Sequence, residues 1–149
     1  MSISYDMFSG AFLAKITEYD FINIAEENRT AIIDGYLKRA LVAFKKNCRY
    51  DLLSNMNDNT REIGIEVKDE DVDELVDIIS EGMVVQWLKP YVNHQENLEN
   101  ALSTRDFSVF SPAELLNRIV GTYKEASKIY TQMIREYSYN HGNIKEFHL

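Results

Sequence analysis

The sequence contains almost nothing that stops a helix. Of its 149 residues, two are proline (Pro90 and Pro112) and six are glycine. Proline deletes a backbone donor and glycine loosens the chain, so their scarcity leaves long stretches able to propagate as helix. Apolar spacing then sets the buried faces. Met7 or Phe8, Ala11, Phe12 and Ile16 recur near helical spacing over residues 5–16, with Ser4 placed to cap. Residues 25–49 carry a clearer stripe: Ile32, Ile33, Tyr36, Leu37, Ala40, Leu41 and Phe44.

Two elements break this rhythm. Residues 53–60 include the turn-forming run Asn55-Met56-Asn57-Asp58-Asn59 and read as a loop. Residues 61–68 alternate, with Ile63, Ile65 and Val67 on one face, and read as a short strand. A third helix starts near Asp69 or Asp71 and buries Val72, Leu75, Val76, Ile79, Met83, Trp87, Leu88 and Tyr91, with Pro90 expected to kink or break it. Helix resumes through Leu98 and Leu102, and residues 102–110 form a loop or a second short strand using Phe107 and Val109. Ser111-Pro112-Ala113-Glu114 is a capping box with proline at the first helical position. The helix it opens carries Leu116, Ile119 or Val120, Tyr123, Ala126, Tyr130, Met133 or Ile134 and Tyr137, and Gly142 ends it. At about 28 residues it spans roughly 42 Å, long enough that part of its stripe is expected to face another subunit. The expected fold is mainly α: a helical bundle of three to four principal helices with a short β hairpin or strand pair. It forms one domain over residues 1–149, with residues 138–149 as a C-terminal tail.

Charge is concentrated rather than spread. The formal net charge is −8. Residues 66–81 hold eight acidic side chains against Lys68 alone, so nearly all the excess lies there. An acidic chain argues against broad phosphate neutralisation and against a polybasic membrane surface. No apolar run approaches a membrane span, and no signal peptide is visible at the N-terminus. The single cysteine, Cys48, excludes an intramolecular disulfide and Cys-rich zinc sites.

Catalytic and metal chemistry find little support. Asp69, Asp71 and Asp73 are spaced like the first ligands of a calcium loop, but Glu74 stands where that loop needs glycine and Ser80 where it needs a bidentate glutamate. Acidic residues in the first turn of a helix, favoured by its dipole, account for them. His94, His141 and His148 form no metal-binding spacing. Lys45, Lys46 and Arg49 around Cys48 favour a thiolate, whereas the adjacent helix C-terminus disfavours one. There is no phosphate loop, dinucleotide fingerprint or nucleophile elbow. The expectation is a non-enzyme that needs no cofactor and no metal. The basic cluster Lys38, Arg39, Lys45, Lys46 and Arg49 and the acidic cluster Asp69, Asp71, Asp73 and Asp77 are of opposite sign on one chain. They are candidates to meet within the subunit or head-to-tail between subunits, an arrangement that closes into rings.

Several local phrases carry a family resemblance. They are Tyr36-Leu37-Lys38-Arg39-Ala40 with Phe44-Lys45 and Tyr50-Asp51-Leu52; Glu81-Gly82-Met83-Val84-Val85-Gln86-Trp87-Leu88-Lys89-Pro90; Leu102-Ser103-Thr104-Arg105-Asp106-Phe107 with Ser111-Pro112-Ala113-Glu114-Leu115-Leu116; and Arg135-Glu136-Tyr137-Ser138-Tyr139. In these phrases and in its layout the chain resembles neck proteins of tailed bacteriophages, the head-to-tail connector or adaptor family. The resemblance implies a virion protein, made in the host cytoplasm, that forms a homo-oligomeric ring, a dodecamer in such adaptors. It implies binding to the portal protein and to other neck or tail proteins, extension of a channel through which DNA passes without specific binding, and no enzymatic activity, cofactor or membrane. A C-terminal segment reaching the portal is typical of some adaptors, which makes Tyr137, Tyr139, His141 and Phe147 candidate portal contacts. The alternative is a non-virion helical oligomeric interaction or regulatory protein using the stripe from Leu116 to Tyr137.

Overall fold

A computed structural model describes residues 2–16, 29–93 and 112–141. Four helices dominate: α1 (Tyr5–Ile16), α2 (Arg29–Phe44), α3 (Asp69–Asn93) and α4 (Pro112–His141). Three two-residue strands, β1 (Ile3–Ser4), β2 (Met56–Asn57) and β3 (Glu62–Ile63), form one antiparallel sheet in the order β1-β3-β2. The protein is therefore a mainly α bundle with a small β element, as its breaker content and periodicity imply.

α3 is the centre. Leu75, Ile78, Ile79, Met83, Val84, Val85, Trp87 and Leu88 are all buried, more than one stripe can hold. A helix that is apolar nearly all round must be covered on several sides, and α1, α2 and α4 all pack on it. α1 contributes Tyr5, Phe8, Phe12 and Ile16, leaving Met7 largely outside. Ser4 caps it, its Oγ accepting the Asp6 N–H at 3.2 Å. The Phe12 ring meets Trp87 edge-on at 6.2 Å and Tyr36 at 5.9 Å, tying three helices at one point. α4 lays Ile119, Ala126, Tyr130 and Tyr137 into the core, with Tyr123, Met133 and Ile134 half-buried. From Ile119 to Tyr137 the stripe packs largely within the subunit, chiefly against α3.

The structure departs from the sequence reading at four places. α2 ends at Phe44 rather than near Arg49: the Phe44 carbonyl accepts both the Asn47 and Cys48 N–H groups, and the chain turns back onto the core. The strand expected over residues 61–68 is only Glu62–Ile63, because its neighbours are two residues long and offer nothing further to pair with. One neighbour, β2, lies inside the segment read as a loop; the other, β1, comes from the N-terminus. Of the kink or break expected at Pro90, the break does not occur, because the residue sits inside α3. It removes one backbone bond near the helix end, where the buried Trp87 and Leu88 hold the last turns in place. Residues 138–141 belong to α4 and not to a tail. The expected helix through Leu98 and Leu102, the Phe107–Val109 strand, the Ser111 cap and the Gly142 stop lie outside the described residues.

Candidate functional site

The candidate contact residues arise on two elements: the C-terminal half of α2 with the turn after it, and the first turns of α3. The structure divides each set into charges satisfied inside the subunit and charges left on the surface.

Among the basic residues, Lys38 is committed. Its Nζ reaches Asp58 Oδ2 at 2.6 Å, and Tyr5 Oη donates to the other Asp58 oxygen at 2.9 Å. Lys38 first, then Tyr5, hold the Asp58 carboxyl below the usual carboxylate range. Arg49 stacks over the Tyr50 ring at 5.9 Å, and its backbone N–H donates to Tyr137 Oη at 3.1 Å. Arg39 is exposed with its guanidinium 5.8 Å from the Tyr36 ring centre. Lys45 and Lys46 are exposed beyond the end of α2.

The acidic residues divide the same way. Asp71 is only 5% exposed and accepts a 2.6 Å bond from Tyr50 Oη; that bond is the main cause of a raised Tyr50 pKa. Asp77 pairs with Lys15 at 2.8 Å, and Lys15 also reaches Glu81 at 3.1 Å. Burial opposes the Lys15 charge, but the bonds from Asp77 and Glu81 outweigh it and raise the lysine pKa. Asp69 and Asp73 stay exposed. Asp71, being buried, is therefore corrected from a subunit-contact candidate to an internal partner, whereas Lys38 and Asp77 hold internal ion pairs while staying at the surface and Arg49 is exposed. Arg39, Lys45, Lys46, Asp69 and Asp73 keep their charge at the surface.

Tyr137 is corrected as well. It is 1% exposed, edge-on to Phe44 at 5.2 Å, so its ring belongs to the core and not to a partner. Tyr139, 79% exposed, is open to contact. His141 ends α4, its side chain lying outside the described residues together with Phe147, His94 and His148. Half-burial pushes the Cys48 thiol pKa up, against the thiolate that its basic neighbours suggested.

Sequence reasoning missed the densest polar cluster. Arg61, in the left-handed region at φ 53°, closes the β2–β3 turn. Its Nε and Nη2 donate to the two Asp34 oxygens, each at 2.9 Å, and Nη1 donates to Asp6 at 2.8 Å. Its backbone carbonyl accepts the Tyr5 N–H at 2.9 Å. This cluster joins α1, α2 and the hairpin. Its partners lie 27 and 55 residues away in sequence, and no local pattern signals them. No group of His, Cys, Asp and Glu able to hold a metal ion occurs among the described residues. No described helix is long and apolar enough to cross a membrane. Comparison with protein-family models, with curated proteins and with solved structures finds no match for this chain.

Proposed function

We propose that this chain is a structural subunit of a tailed-bacteriophage neck, repeated around a ring that joins the portal to the tail and extends the DNA channel. The observation that carries the reading is the residue of unspent charge. Lys45 and Lys46 stand exposed at the end of α2, and Asp69 and Asp73 at the start of α3, while Lys38, Asp71 and Asp77 have partners within the subunit. Exposed patches of opposite sign on one subunit suit head-to-tail repetition, and complementary charge sets register and orientation. The resemblance of the local phrases supplies the neck assignment and the dodecamer. The net negative charge disfavours broad neutralisation of phosphates, which suits a channel that DNA slides through. Ile119, Ala126, Tyr130 and Tyr137 of the α4 stripe are buried within the subunit, which leaves less of that face to a dimeric regulator. The test is oligomer mass by light scattering, alone and with purified portal rings. The parent chain should assemble, and Lys45→Glu with Lys46→Glu should weaken assembly. A parent chain that stays monomeric both alone and with portal rings would overturn the reading, and unchanged mass in the double variant would overturn the charge contact.

A further inference from the structure

An apolar groove of about 220 Å³ opens where the N-terminus, α1 and the start of α3 meet. Ile3, Met7, Val67 and Val72 line it, and Asp69 and Asp73 stand beside them. Met7 is 43% exposed, whereas Tyr5, Phe8, Phe12 and Ile16 of the same helix are buried. Both carboxylates are exposed and form no ion pair among the described residues. On α2, Val42 is 58% exposed, more than any other large aliphatic side chain among the described residues. Arg39 lies one turn before it, and Lys45 and Lys46 follow in the turn that ends the helix. Each surface is what the other lacks: an apolar hollow flanked by two negative charges, and an apolar knob flanked by three positive ones.

We infer that Val42 of one copy seats in the Ile3–Met7–Val67–Val72 groove of the next, with Lys45, Lys46 and Arg39 set against Asp69 and Asp73. The inference rests on the reading that copies of the chain assemble, and it names the contact. Repeated head-to-tail around a ring, the contact is heterologous. It leaves one knob and one groove free at the ends until a ring closes. Apolar insertion supplies the attraction, and the flanking charges fix which way round it goes.

The test uses full chains carrying Cys48→Ser. One chain carries Val42→Cys and a second carries Met7→Cys; the two are mixed and oxidised. A disulfide requires Cα atoms within about 7 Å, so the 42–7 heterodimer should exceed a 42–129 control, made with Ile129→Cys, by at least about tenfold. Asp69→Lys with Asp73→Lys on the groove chain should abolish that preference, and Lys45→Glu with Lys46→Glu on the knob chain should restore it. Equal yields for the two pairs, or no response to the charge swap, would overturn the contact. If Met7→Cys lowers the melting temperature, Asp73→Cys on the groove's edge takes its place. Light scattering of the parent chain separates the two readings. High mass without preferential linking overturns this contact and leaves the ring. Preferential linking with no species beyond a dimer keeps the contact and overturns the ring.

Discussion

The ring of Tyr130 lies so close over Gly82 that no side chain fits between them. A Cβ at position 82 would come within 2.8 Å of Tyr130 Cζ and 2.9 Å of Cε1. Real Cβ atoms do not approach this closely, so glycine is what lets α3 and α4 meet here. The same ring extends across to α2, where Tyr130 Oη donates to the Ala40 carbonyl at 3.3 Å. One side chain thus pins three helices. Gly82→Ala should destabilise the fold by about 1–3 kcal/mol through overpacking, even though alanine is the better helix former by about 1 kcal/mol. Urea unfolding measures it, and a variant as stable as the parent would show that the ring moves aside at no cost.

Arg61 should be irreplaceable by lysine. Its planar fork serves both Asp34 oxygens and Asp6 at once, and an ammonium cannot reproduce that geometry. Its side chain is 30% exposed, so water screens part of the gain. Arg61→Lys should therefore cost roughly 1–3 kcal/mol, toward the low end of the range. The backbone makes a second, independent demand. At φ 53° an alanine is strained and a glycine is not. Arg61→Gly should consequently be more stable than Arg61→Ala in the same unfolding experiment, the reverse of the order expected for an ordinary loop position.

Alkaline pH should unfold the protein in one step. Burial pushes Tyr36 and Tyr130 up to about 12, and Tyr5 and Tyr137 are raised further, again chiefly by burial. Lys15 is raised by Asp77 and Glu81 against the cost of its burial. All of these groups keep their protons in the folded state beyond the pH, about 10, at which the unfolded chain releases them. Their contribution is complete below that pH and is lost as pH rises through the folded values. Asp58 acts in the opposite direction: its lowered pKa stabilises above the unfolded carboxylate value of about 4 and is lost as pH falls below it. Tyrosinate absorbance and helical circular dichroism, followed together, should change together above about pH 10. Ionisation of these four tyrosines with the helices intact would contradict their burial.

Cys48 should react slowly. Its raised pKa and half-buried position both reduce the available thiolate. The rate with a disulfide reagent at pH 8 should fall at least about tenfold below that of a free thiol. It should rise in Tyr137→Ala, which removes the ring packed over this turn. A rate equal to that of free cysteine would show the turn to be open.

The limits of α1 and the start of α3 were legible without coordinates. A serine cap, an apolar repeat and a run of acids in a first turn act within a few residues of one another. So were the mainly α class and the β3 core at Ile63. The charge clusters were legible as clusters, but not as pairs. Lys15 meets Asp77 across 62 residues, Tyr50 meets Asp71 across 21, and Arg49 meets Tyr137 across 88. Periodicity marked Tyr137 as apolar-facing, yet only the packing of α4 along α3 placed it under Phe44 and took it from the surface. The sequence alone determined which segments become helices and how the charges are distributed, because those follow from local backbone and solvent preferences. Tertiary structure alone decided which charges are spent and which face outward. A charge is neutralised by whatever the fold brings within about 4 Å of it, and that distance does not exist until the helices pack.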